Sequence, residues 1–453
     1  MIKKPLSLVK KATKYVPGAS YYTAGQNLPP LPEFILHRGN GAYVYTTKNE
    51  KMLDVTLAHS SLILGHNHPA VSNAVKNQID KGSAFTNITE PAIELSEIMS
   101  KTIPCAEKIR LVNSGTEASI LATRIVRAYT GKNLILKFEG AYHGFADNLL
   151  FNTNYGNSNN WDNYPSPTPD SIGIPKSLKN DILIAPYNDL SKTKSIILNN
   201  KANIAGIIIE PVMRGLETNK SFIEGIKNIS INENIPLIFD EVITGYRLSL
   251  GGAQEFFGVT PDIAIYGKAL GAGYPIGAIT GNKKIMNLLN PKSSDENRIF
   301  SIGSFHSNPI SSTAALVCIK ELQNPENYIK LNEFGDNLRS GLSQIFSEYK
   351  IPHFMTGAGS IVEFFFTSNT VSNYRDTLKT NLNLKSLLSN QLPKNFIVGG
   401  GGRYTSSIFH EEKELSWLLE GISNSLKEIK ASGELEKSFG KNQNPLASAT
   451  KMG

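Results

Sequence analysis

The fold is decided by residues 263–277, IAIYGKALGAGYPIG, in which an apolar run leads into a lysine, Lys268, among glycines. A second apolar run, 236–239, ends in two carboxylates, Asp240 and Glu241. Short continuous apolar runs are typical of strands that are covered on both faces of a parallel sheet. A lone lysine after a strand is usually a solvated surface residue. The flanking glycines and the paired aspartate favour a functional site instead.

Lys268 and Asp240 are the two groups that one cofactor, pyridoxal phosphate (PLP), requires. PLP forms a Schiff base with a lysine. Its ring nitrogen stays protonated beside a carboxylate, so that the ring can take up electron density from the substrate. The pair therefore predicts a PLP site with Lys268 as the catalytic lysine.

Apolar strands alternate with helical patterns from about residue 90 to 320, which is typical of an α/β fold with a parallel sheet. Ligands bind at the carboxyl ends of the strands in such sheets, and the candidate site residues all follow strands. The predicted strands are 109–112, Leu134–Phe138, Ile182–Ala185, Ile204–Ile209, Leu237–Asp240 and Ile263–Tyr266.

The stretch 112–118, VNSGTEA, follows a strand and opens an amphipathic helix. Ser114, Gly115 and Thr116 therefore lie at a helix N-terminus, where free N–H groups and the helix dipole attract an anion such as a phosphate. An ordinary serine cap, with Glu117 completing a capping box, is the simpler interpretation, and the two are compatible.

Three further strand ends carry candidate cofactor contacts. In 140–144, GAYHG, Tyr142 can lie over a flat cofactor or simply pack under a loop. His143 can be a base, a stacking partner or merely a hydrogen-bonded side chain. Glu210 ends another strand and can make a structural hydrogen bond. Val242, two residues after Asp240, can pack on the cofactor ring.

Composition excludes several classes of protein. No apolar run reaches transmembrane length, and no apolar signal core follows the basic N-terminus. The two cysteines, Cys105 and Cys318, indicate buried free thiols and a cytoplasmic location. The net charge of +7 is scattered along the chain, so we expect neither nucleic-acid nor membrane binding. His66 and His68 lack further ligands nearby, so we expect no metal.

The motifs together resemble those of the class III, fold-type I PLP enzymes, most of all the glutamate-1-semialdehyde 2,1-aminomutases and their aminotransferase relatives. The similarity covers roughly residues 10 to 430. The matching stretches are 62–69 LILGHNHP, 112–118 VNSGTEA, 137–144 KFEGAYHG, 238–247 IFDEVITGYR, 251–262 GGAQEFFGVTPD and 267–278 GKALGAGYPIGA.

The resemblance implies a role for each matching residue. Lys268 would carry the cofactor, Asp240 would pair with the pyridinium and Tyr142 would stack on the ring. The residues that would hold the phosphate are Ser114, Gly115 and Thr116. Ser304, after Gly303, would reach the phosphate from a partner subunit, which implies a homodimer with the active site at the subunit interface.

The resemblance also implies the architecture: a large domain with a mostly parallel seven-stranded sheet between helices, and a smaller α+β domain built from both ends of the chain. We expect an N-terminal segment at 1–60, the PLP-binding domain at 61–325 and the C-terminal small domain at 326–431. Residues 432–453 are polar and predict a flexible tail.

Departures from the aminomutase pattern lie on the substrate side. Residues 18–24 lack the aminomutase's N-terminal arginine, and His59 with two serines replaces a tryptophan. The segment 399–409 is shortened, but it offers Arg403 as a carboxylate ligand. The segments expected to shape the substrate pocket are 18–27, 57–61, 152–175 and 399–409.

Three functions remain open at this point. The first is an aminotransferase that moves an amino group between a small-molecule amino donor and an oxo acceptor through a Lys268 Schiff base. The second is an aminomutase, an isomerase that moves the amine within one molecule. The third is a PLP-fold protein without catalytic activity.

Overall fold

The computed structural model describes residues 7–19, 35–153, 165–400 and 402–440. The strands are β1 Leu36–Asn40, β2 Tyr43–Thr46, β3 Lys51–Asp54, β4 Lys108–Val112, β5 Leu134–Phe138, β6 Ile182–Ala185, β7 Ile204–Ile209, β8 Leu237–Asp240, β9 Ile263–Tyr266, β10 Gly277–Gly281, β11 Phe354–Ala358, β12 Ile361–Phe365, β13 Ile397–Val398 and β14 Tyr404–Thr405. The helices are α1 Leu8–Tyr15, α2 Leu57–Ser60, α3 Pro69–Ile79, α4 Glu90–Thr102, α5 Gly115–Thr130, α6 Leu190–Asn200, α7 Lys220–Asn232, α8 Gly252–Phe257, α9 Lys283–Met286, α10 Pro309–Leu322, α11 Pro325–Glu348, α12 Tyr374–Thr377, α13 Leu382–Gln391, α14 Glu412–Ala431 and α15 Glu434–Gly440.

A seven-stranded sheet in the order β4-β10-β9-β8-β7-β5-β6 forms the centre of the molecule. Strands β9, β8, β7, β5 and β6 pair in parallel. Strand β10 is antiparallel to both of its neighbours, β9 and β4. The predicted α/β class with a mostly parallel seven-stranded sheet is confirmed.

Strand β10 was not among the predicted strands. Its sequence, GAITG, has a glycine at each end and only three residues between them. The glycine at its start is required by packing, because a Cβ on Gly277 would lie 2.3 Å from the carbonyl oxygen of Ser114. Tertiary contact, rather than strand propensity, therefore places this segment in the sheet.

Helices cover both faces of this sheet. Successive residues of β7 enter different core clusters: Ile207 and Ile209 pack in one, Ala205 and Ile208 in the other. Helix α5 packs in the second cluster, where Ile125 is fully buried. This two-sided burial explains the continuous apolar runs in the sequence.

Two smaller sheets are built from the two ends of the chain. One has the order β1-β2-β3-β13, and the other has the order β11-β12-β14. A separate core cluster joins residues of β3, β12, α11, α13 and α14. These elements fit the predicted small domain, whose exact boundaries stay a prediction.

The first residues of the predicted flexible tail, 432–453, include a helix. Helix α15 lies inside it, Leu435 is 5% exposed in the small-domain core, and the Asn381 side-chain amide donates to the Ser438 carbonyl at 3.0 Å. The buried side chains of Leu435 and Ser438 and the hydrogen bonds from Asn381 thus hold residues 434–440 on the small domain. The remainder, 441–453, lies outside the described residues.

Thiols and histidines of the described residues make ordinary structural contacts. Cys105 and Cys318 are free and buried. The described part of the chain holds no cluster of three or more metal-ligating side chains. His66, one of the paired histidines, has its Nε2 2.8 Å from Asp54 Oδ2. None of the described helices is both long and apolar enough to span a membrane.

Candidate active site

The predicted cofactor residues of the large sheet converge at one of its edges. Strands β4, β5, β7, β8 and β9 run in the same direction, so their carboxyl ends share this edge. The residues at or just beyond these ends are Ser114, Tyr142, Glu210, Asp240 and Lys268. The candidate residues, each predicted from a separate short motif, therefore lie at the same edge of the sheet.

Lys268 directly follows β9 and opens a short 3-10 turn, Lys268–Gly271. Its φ of 44° is left-handed, a conformation that costs an L-residue about 1–2 kcal/mol. Burial lowers the pKa of the Lys268 amine; the Asp240 carboxylate opposes this shift and the Arg403 guanidinium adds to it. The amine therefore loses its proton more readily than a solvated lysine, as a nucleophile and base requires.

Asp240 ends β8 and is 4% exposed. Its Oδ1 accepts the Val242 N–H at 3.0 Å, and its Oδ2 lies 2.7 Å from His143 Nδ1. The other ring nitrogen of His143, Nε2, is buried and has no hydrogen-bond partner among the described residues. Carboxylate oxygens accept more than one hydrogen bond, so Asp240 can also receive a ligand N–H.

Tyr142 lies in the turn after β5 with its side chain 41% exposed. Its backbone N–H donates to Glu210 Oε1 at 2.6 Å, so Glu210 fixes this turn. Burial and the neighbouring Asp240 charge raise the pKa of Glu210. The same turn touches the start of α5, because a Cβ on Gly144 would lie 2.5 Å from Thr116 Oγ1. The tyrosine is thus held close to the predicted phosphate site.

Helix α5 begins with the predicted anion site. The Ser114 hydroxyl accepts the Glu117 N–H at 3.2 Å, and Glu117 Oε2 accepts the Asn113 N–H at 2.7 Å. The amides of the first turn have no acceptor within the helix and can bind an anion. Glycine is required at 115, because a Cβ there would lie 2.9 Å from Val242 Cγ2. The predicted capping box is formed only in part, because the Glu117 carboxylate accepts the N–H of Asn113 and not that of Ser114.

Ser304 is exposed in a loop that precedes α10. Its neighbours Phe300, Ile302 and Phe305 are 73%, 77% and 63% exposed. Two residues further on, His306 Nε2 lies 3.3 Å from Glu117 Oε2 at the start of α5. The loop is therefore anchored near the predicted phosphate site, and the action of Ser304 from a partner subunit stays a prediction.

The substrate-side turn α2 is left-handed along its whole length, with φ angles of 49°, 50°, 56° and 74°. A left-handed turn without glycine is strained, so its surroundings must hold it. Asp54 Oδ1 accepts the Leu57 N–H at 2.9 Å, and Arg247 Nη2 donates to the Ser60 carbonyl at 2.9 Å. The turn carries His59.

His59 and Arg403 lie near Lys268, although they are far apart in sequence. Burial lowers the pKa of His59, and the charges of Lys268 and Arg403 lower it further. Arg403 is 27% exposed, and its Nε lies 4.0 Å from Glu363 Oε2, too far for a hydrogen bond. Glu363 instead binds Lys385 Nζ at 3.1 Å. The charges of Lys268 and Arg403 thus both act on His59, and the role of His59 and Arg403 as substrate residues stays a prediction.

Other parts of the predicted substrate pocket lie outside the described residues. These parts are 20–27 of the N-terminal segment, 154–164 of the long loop and residue 401.

Lys137 was missed by the sequence reasoning, although a lysine inside an apolar strand was a visible signal. It is fully buried in β5. Its ammonium reaches the carbonyls of Ala141, Leu149 and Phe151 at 3.0, 2.9 and 2.5 Å, and the Thr153 hydroxyl at 3.2 Å. It therefore anchors the loop that carries Tyr142 and His143. Burial lowers its pKa to about 7.

Two arginines were also missed. Arg247 is fully buried and donates to the Ser406 carbonyl at 3.0 Å as well as to Ser60, so it joins two substrate-side segments. Burial lowers its pKa to about 10. Arg214 lies just beyond β7, four residues after Glu210. Nothing in a single sequence distinguishes such arginines from surface ones.

These groups fit PLP. An exposed aromatic face, a buried carboxylate, a strained lysine and a helix N-terminus lie at one sheet edge, and the buried His143 Nε2 needs a polar partner. Glycines at 115 and 144 keep the backbone open where side chains would collide. The fold and the site together define a PLP enzyme of fold type I.

Comparisons with known proteins give the family. The family model for class-III aminotransferases matches residues 23–421. The chain therefore belongs to the class-III aminotransferases, and its cofactor is pyridoxal phosphate.

The curated relatives include many aminomutases. The glutamate-1-semialdehyde 2,1-aminomutase of Fusobacterium nucleatum subsp. nucleatum is 36% identical, over 95% of this chain and 98% of that protein. The enzyme of the same name from Wigglesworthia glossinidia brevipalpis is also 36% identical, over 95% and 99%.

Among solved structures, an omega-transaminase from Sphaerobacter thermophilus has a TM-score of 0.86 and 28% identity, with 93% of this chain and 97% of that chain covered. A glutamate-1-semialdehyde aminomutase from Pseudomonas aeruginosa PAO1 has a TM-score of 0.81 with 17% identity, over 93% of each chain. The second likeness shows the fold alone.

Proposed function

We propose that the protein is a PLP-dependent aminotransferase that moves an amino group between a small-molecule amino donor and an oxo acceptor. The observation that carries this proposal is that Arg247 ties the segments of His59 and Arg403 together, through the Ser60 carbonyl at 2.9 Å and the Ser406 carbonyl at 3.0 Å. The Arg403 guanidinium can hold the carboxylate of an amino acid or an oxo acid with two parallel hydrogen bonds. The substrate is thereby oriented with its amine-bearing carbon towards the lysine.

Each residue of the site then has its own role in the proposed reaction. When bound, PLP supplies the electron sink that makes the proton on the amine-bearing carbon acidic. Lys268 Nζ, whose pKa is lowered by burial, takes that proton and later returns it as a general acid. Asp240 keeps the pyridine nitrogen protonated, and His143 holds Asp240 Oδ2 in place at 2.7 Å.

The remaining cofactor contacts are positioning contacts. Tyr142, in a turn that Glu210 fixes through the 2.6 Å hydrogen bond, would stack on the cofactor ring. Ser114, Gly115 and Thr116 hold the phosphate at the start of α5. Val242, whose side chain lies next to Gly115, would pack on the cofactor ring.

The second candidate function is intramolecular amino transfer, as in a 2,1-aminomutase. The names of the curated relatives favour it, since those at 36% identity over almost the whole chain are glutamate-1-semialdehyde aminomutases. Such an enzyme keeps its intermediate bound while the amine moves between adjacent carbons. It therefore needs no second substrate.

We also propose that the protein acts as a homodimer in the cytoplasm, with its active site at the subunit interface. Large apolar side chains are exposed on two segments, Phe85 and Ile88 on one, Phe300, Ile302 and Phe305 on the other. Exposed apolar patches of this kind mark interaction surfaces. Ser304 lies within the second segment, so a partner placed there would receive this serine near its own phosphate site.

A donor screen with the purified holoenzyme tests the proposal. Amino donors are mixed with the enzyme in the absence and presence of an oxo acid, and the absorbance of the lysine-bound cofactor is followed. An aminotransferase releases one oxo product per site without an acceptor and turns over only when the acceptor is added. Full-rate rearrangement of one substrate without any oxo acid would instead identify an aminomutase. Lys268→Ala serves as the inactive control.

A further inference from the structure

Lys137 is a fully buried cation to which the proposed reaction gives no role. Its ammonium lies among four oxygen atoms, which are the carbonyls of Ala141, Leu149 and Phe151 at 3.0, 2.9 and 2.5 Å and the Thr153 hydroxyl at 3.2 Å. These four oxygens form the Lys137 cage. All of them belong to neutral groups, and an ammonium has three N–H groups to share among them. The cage therefore has the composition of a site for a monovalent cation.

A single loop builds the cage around the ammonium. Its oxygens come from residues 4, 12, 14 and 16 positions after Lys137, so the chain returns to the same point of β5. The Thr153 hydroxyl also donates to the Ala141 carbonyl at 3.0 Å, which leaves its own lone pairs to the ammonium. Leu149 and Phe151 are 0% and 1% exposed in the core cluster that contains residues of α5. Removal of the ammonium would therefore leave buried oxygens short of a donor, which is costly.

One peptide group connects the cage to the candidate cofactor site. The carbonyl of the Ala141–Tyr142 peptide accepts from Lys137 Nζ at 3.0 Å, and the N–H of the same peptide donates to Glu210 Oε1 at 2.6 Å. Because a peptide group is planar, a partner on each side fixes the orientation of its plane. That plane sets the direction in which the chain enters Tyr142. Lys137 and Glu210 thus hold opposite sides of the peptide that precedes the tyrosine ring.

We propose that Lys137 is a positioning residue for the cofactor, whose ammonium orients the Ala141–Tyr142 peptide so that the Tyr142 ring stacks on PLP, and that its cage is a monovalent-cation site filled by the lysine side chain. Backbone carbonyls can replace the hydration shell of an ion such as K⁺. A free cation of matching size should therefore replace the ammonium when the side chain is shortened. This inference rests on the proposed stacking of Tyr142, and it adds a residue that acts through that tyrosine.

Cofactor binding by two variants tests the inference. Lys137→Ala empties the cage, whereas Lys137→Met fills it with an apolar side chain. Each apoprotein is titrated with PLP, and the visible circular dichroism of the lysine-bound cofactor reports on the groups around the ring. Burial lowers the pKa of Lys137 to about 7, so the titrations are made about one pH unit lower, where the wild-type amine is protonated. Both variants should bind PLP about 10- to 100-fold more weakly, the scale of a hydrogen bond to a charged group, and should lose dichroism.

Added cations separate this role from a general loss of stability. K⁺ or ammonium should restore most of the lost PLP affinity and dichroism to Lys137→Ala, and neither should help Lys137→Met, whose side chain occupies the cage. Tetramethylammonium at equal ionic strength should help neither variant, because it has no N–H group and is too large. A loss in Lys137→Ala that neither K⁺ nor ammonium reverses would overturn the inference. Wild-type affinity and dichroism in both variants would overturn it as well.

The variant Tyr142→Leu distinguishes failure of this inference from failure of the proposed stacking. If Lys137 acts through the tyrosine, Lys137→Ala should weaken PLP binding less in the Tyr142→Leu background than in the wild type, because the two losses are coupled. Equal losses in both backgrounds would show that Lys137 does not act through Tyr142. Wild-type PLP affinity in Tyr142→Leu alone would overturn the stacking itself. Failure of the donor screen would overturn the amino transfer and leave these binding measurements valid.

A milder variant keeps the test decisive if the Lys137 variants do not fold. Thr153→Val removes one cage oxygen at nearly constant shape and should weaken PLP binding about 2- to 10-fold, the scale of a neutral hydrogen bond. Wild-type affinity in this variant would then count against the inference. The matched control is Ser230→Ala, which removes a buried 2.7 Å hydrogen bond to the Ile235 carbonyl, just before β8 at the opposite sheet edge, and should leave PLP affinity unchanged.

Discussion

Replacing Asp240 with asparagine should leave the fold intact, weaken cofactor binding and nearly stop turnover. The aspartate is 4% exposed and makes two contacts, with the Val242 N–H at 3.0 Å and His143 Nδ1 at 2.7 Å. An asparagine of the same shape keeps an oxygen for Val242. Its NH₂ group then faces His143, whose ring can accept after its proton moves to Nε2.

The substitution therefore removes a charge without emptying the site. Loss of a hydrogen bond to a charged group costs about 1.5–3 kcal/mol, which corresponds to about 10- to 100-fold weaker cofactor binding. Turnover should fall further, because the neutral amide cannot keep the ring nitrogen protonated when electron density moves into the ring. The negative charge that raises the pKa of Lys268 also disappears, so the amine should lose its proton at still lower pH.

Two measurements separate these effects. Titration of the apoprotein with PLP gives the affinity, and stopped-flow absorbance with a saturating amino donor gives the rate of the first half-reaction. The matched control is Asp262→Asn, which lies before β9 at the opposite sheet edge and whose Oδ2 accepts the Leu237 N–H at 2.9 Å. Turnover of Asp240→Asn within about threefold of the wild type would show that Asp240 is not the ring partner. Equal losses in both variants would indicate a general effect on folding.

Three further predictions concern other residues of the site. Lys268→Ala should abolish turnover and the absorbance of the lysine-bound cofactor, as measured by the spectrum of the reconstituted variant, and a normal band would show that another lysine carries PLP. Arg403→Lys should reduce kcat/KM for an α-amino acid donor by about 1–3 kcal/mol while sparing a plain amine, since lysine cannot grip a carboxylate bidentately; equal losses for both donors would contradict the carboxylate role. Burial lowers the pKa of Lys137 to about 7, so above that pH the unfolded chain binds one more proton than the folded chain. The free energy of unfolding should therefore rise between pH 7 and 9 by up to about 1.4 kcal/mol per pH unit. Denaturant titrations of Lys137→Met should lack this component of the slope, and an identical slope in both proteins would show that Lys137 stays charged.

Several local features of the structure could be predicted because they depend on residues adjacent in sequence. The capped start of α5 follows from Ser114 and Glu117, which are three residues apart and make the expected 3.2 Å contact. The buried strands follow from their continuous apolar runs. Strand β10 could not be predicted in this way, because its short run between two glycines is held by antiparallel pairing with β4 and β9, which are distant in sequence from each other.

The candidate site also contains features that the sequence predicts and features that only the structure shows. Glu210 illustrates the limit: the sequence placed it at a strand end, but only the structure shows that its carboxylate holds the Tyr142 turn. The left-handed turn at 57–60 is likewise invisible in the sequence. It is held by Asp54, which is near in sequence, and by Arg247, which is 187 residues from Ser60.

The fold class and the cofactor followed from the sequence, because each strand-end motif is short and its chemistry depends on neighbouring residues, and the cofactor-binding residues that these motifs name stay predictions. The predicted substrate residues His59 and Arg403 come from distant segments, and only tertiary packing joins those segments. Arg247 ties the two segments together through its buried hydrogen bonds to the Ser60 and Ser406 carbonyls. Such long-range contacts produce no hydrophobic periodicity in the sequence, since each residue involved resembles an ordinary polar surface residue in its local sequence.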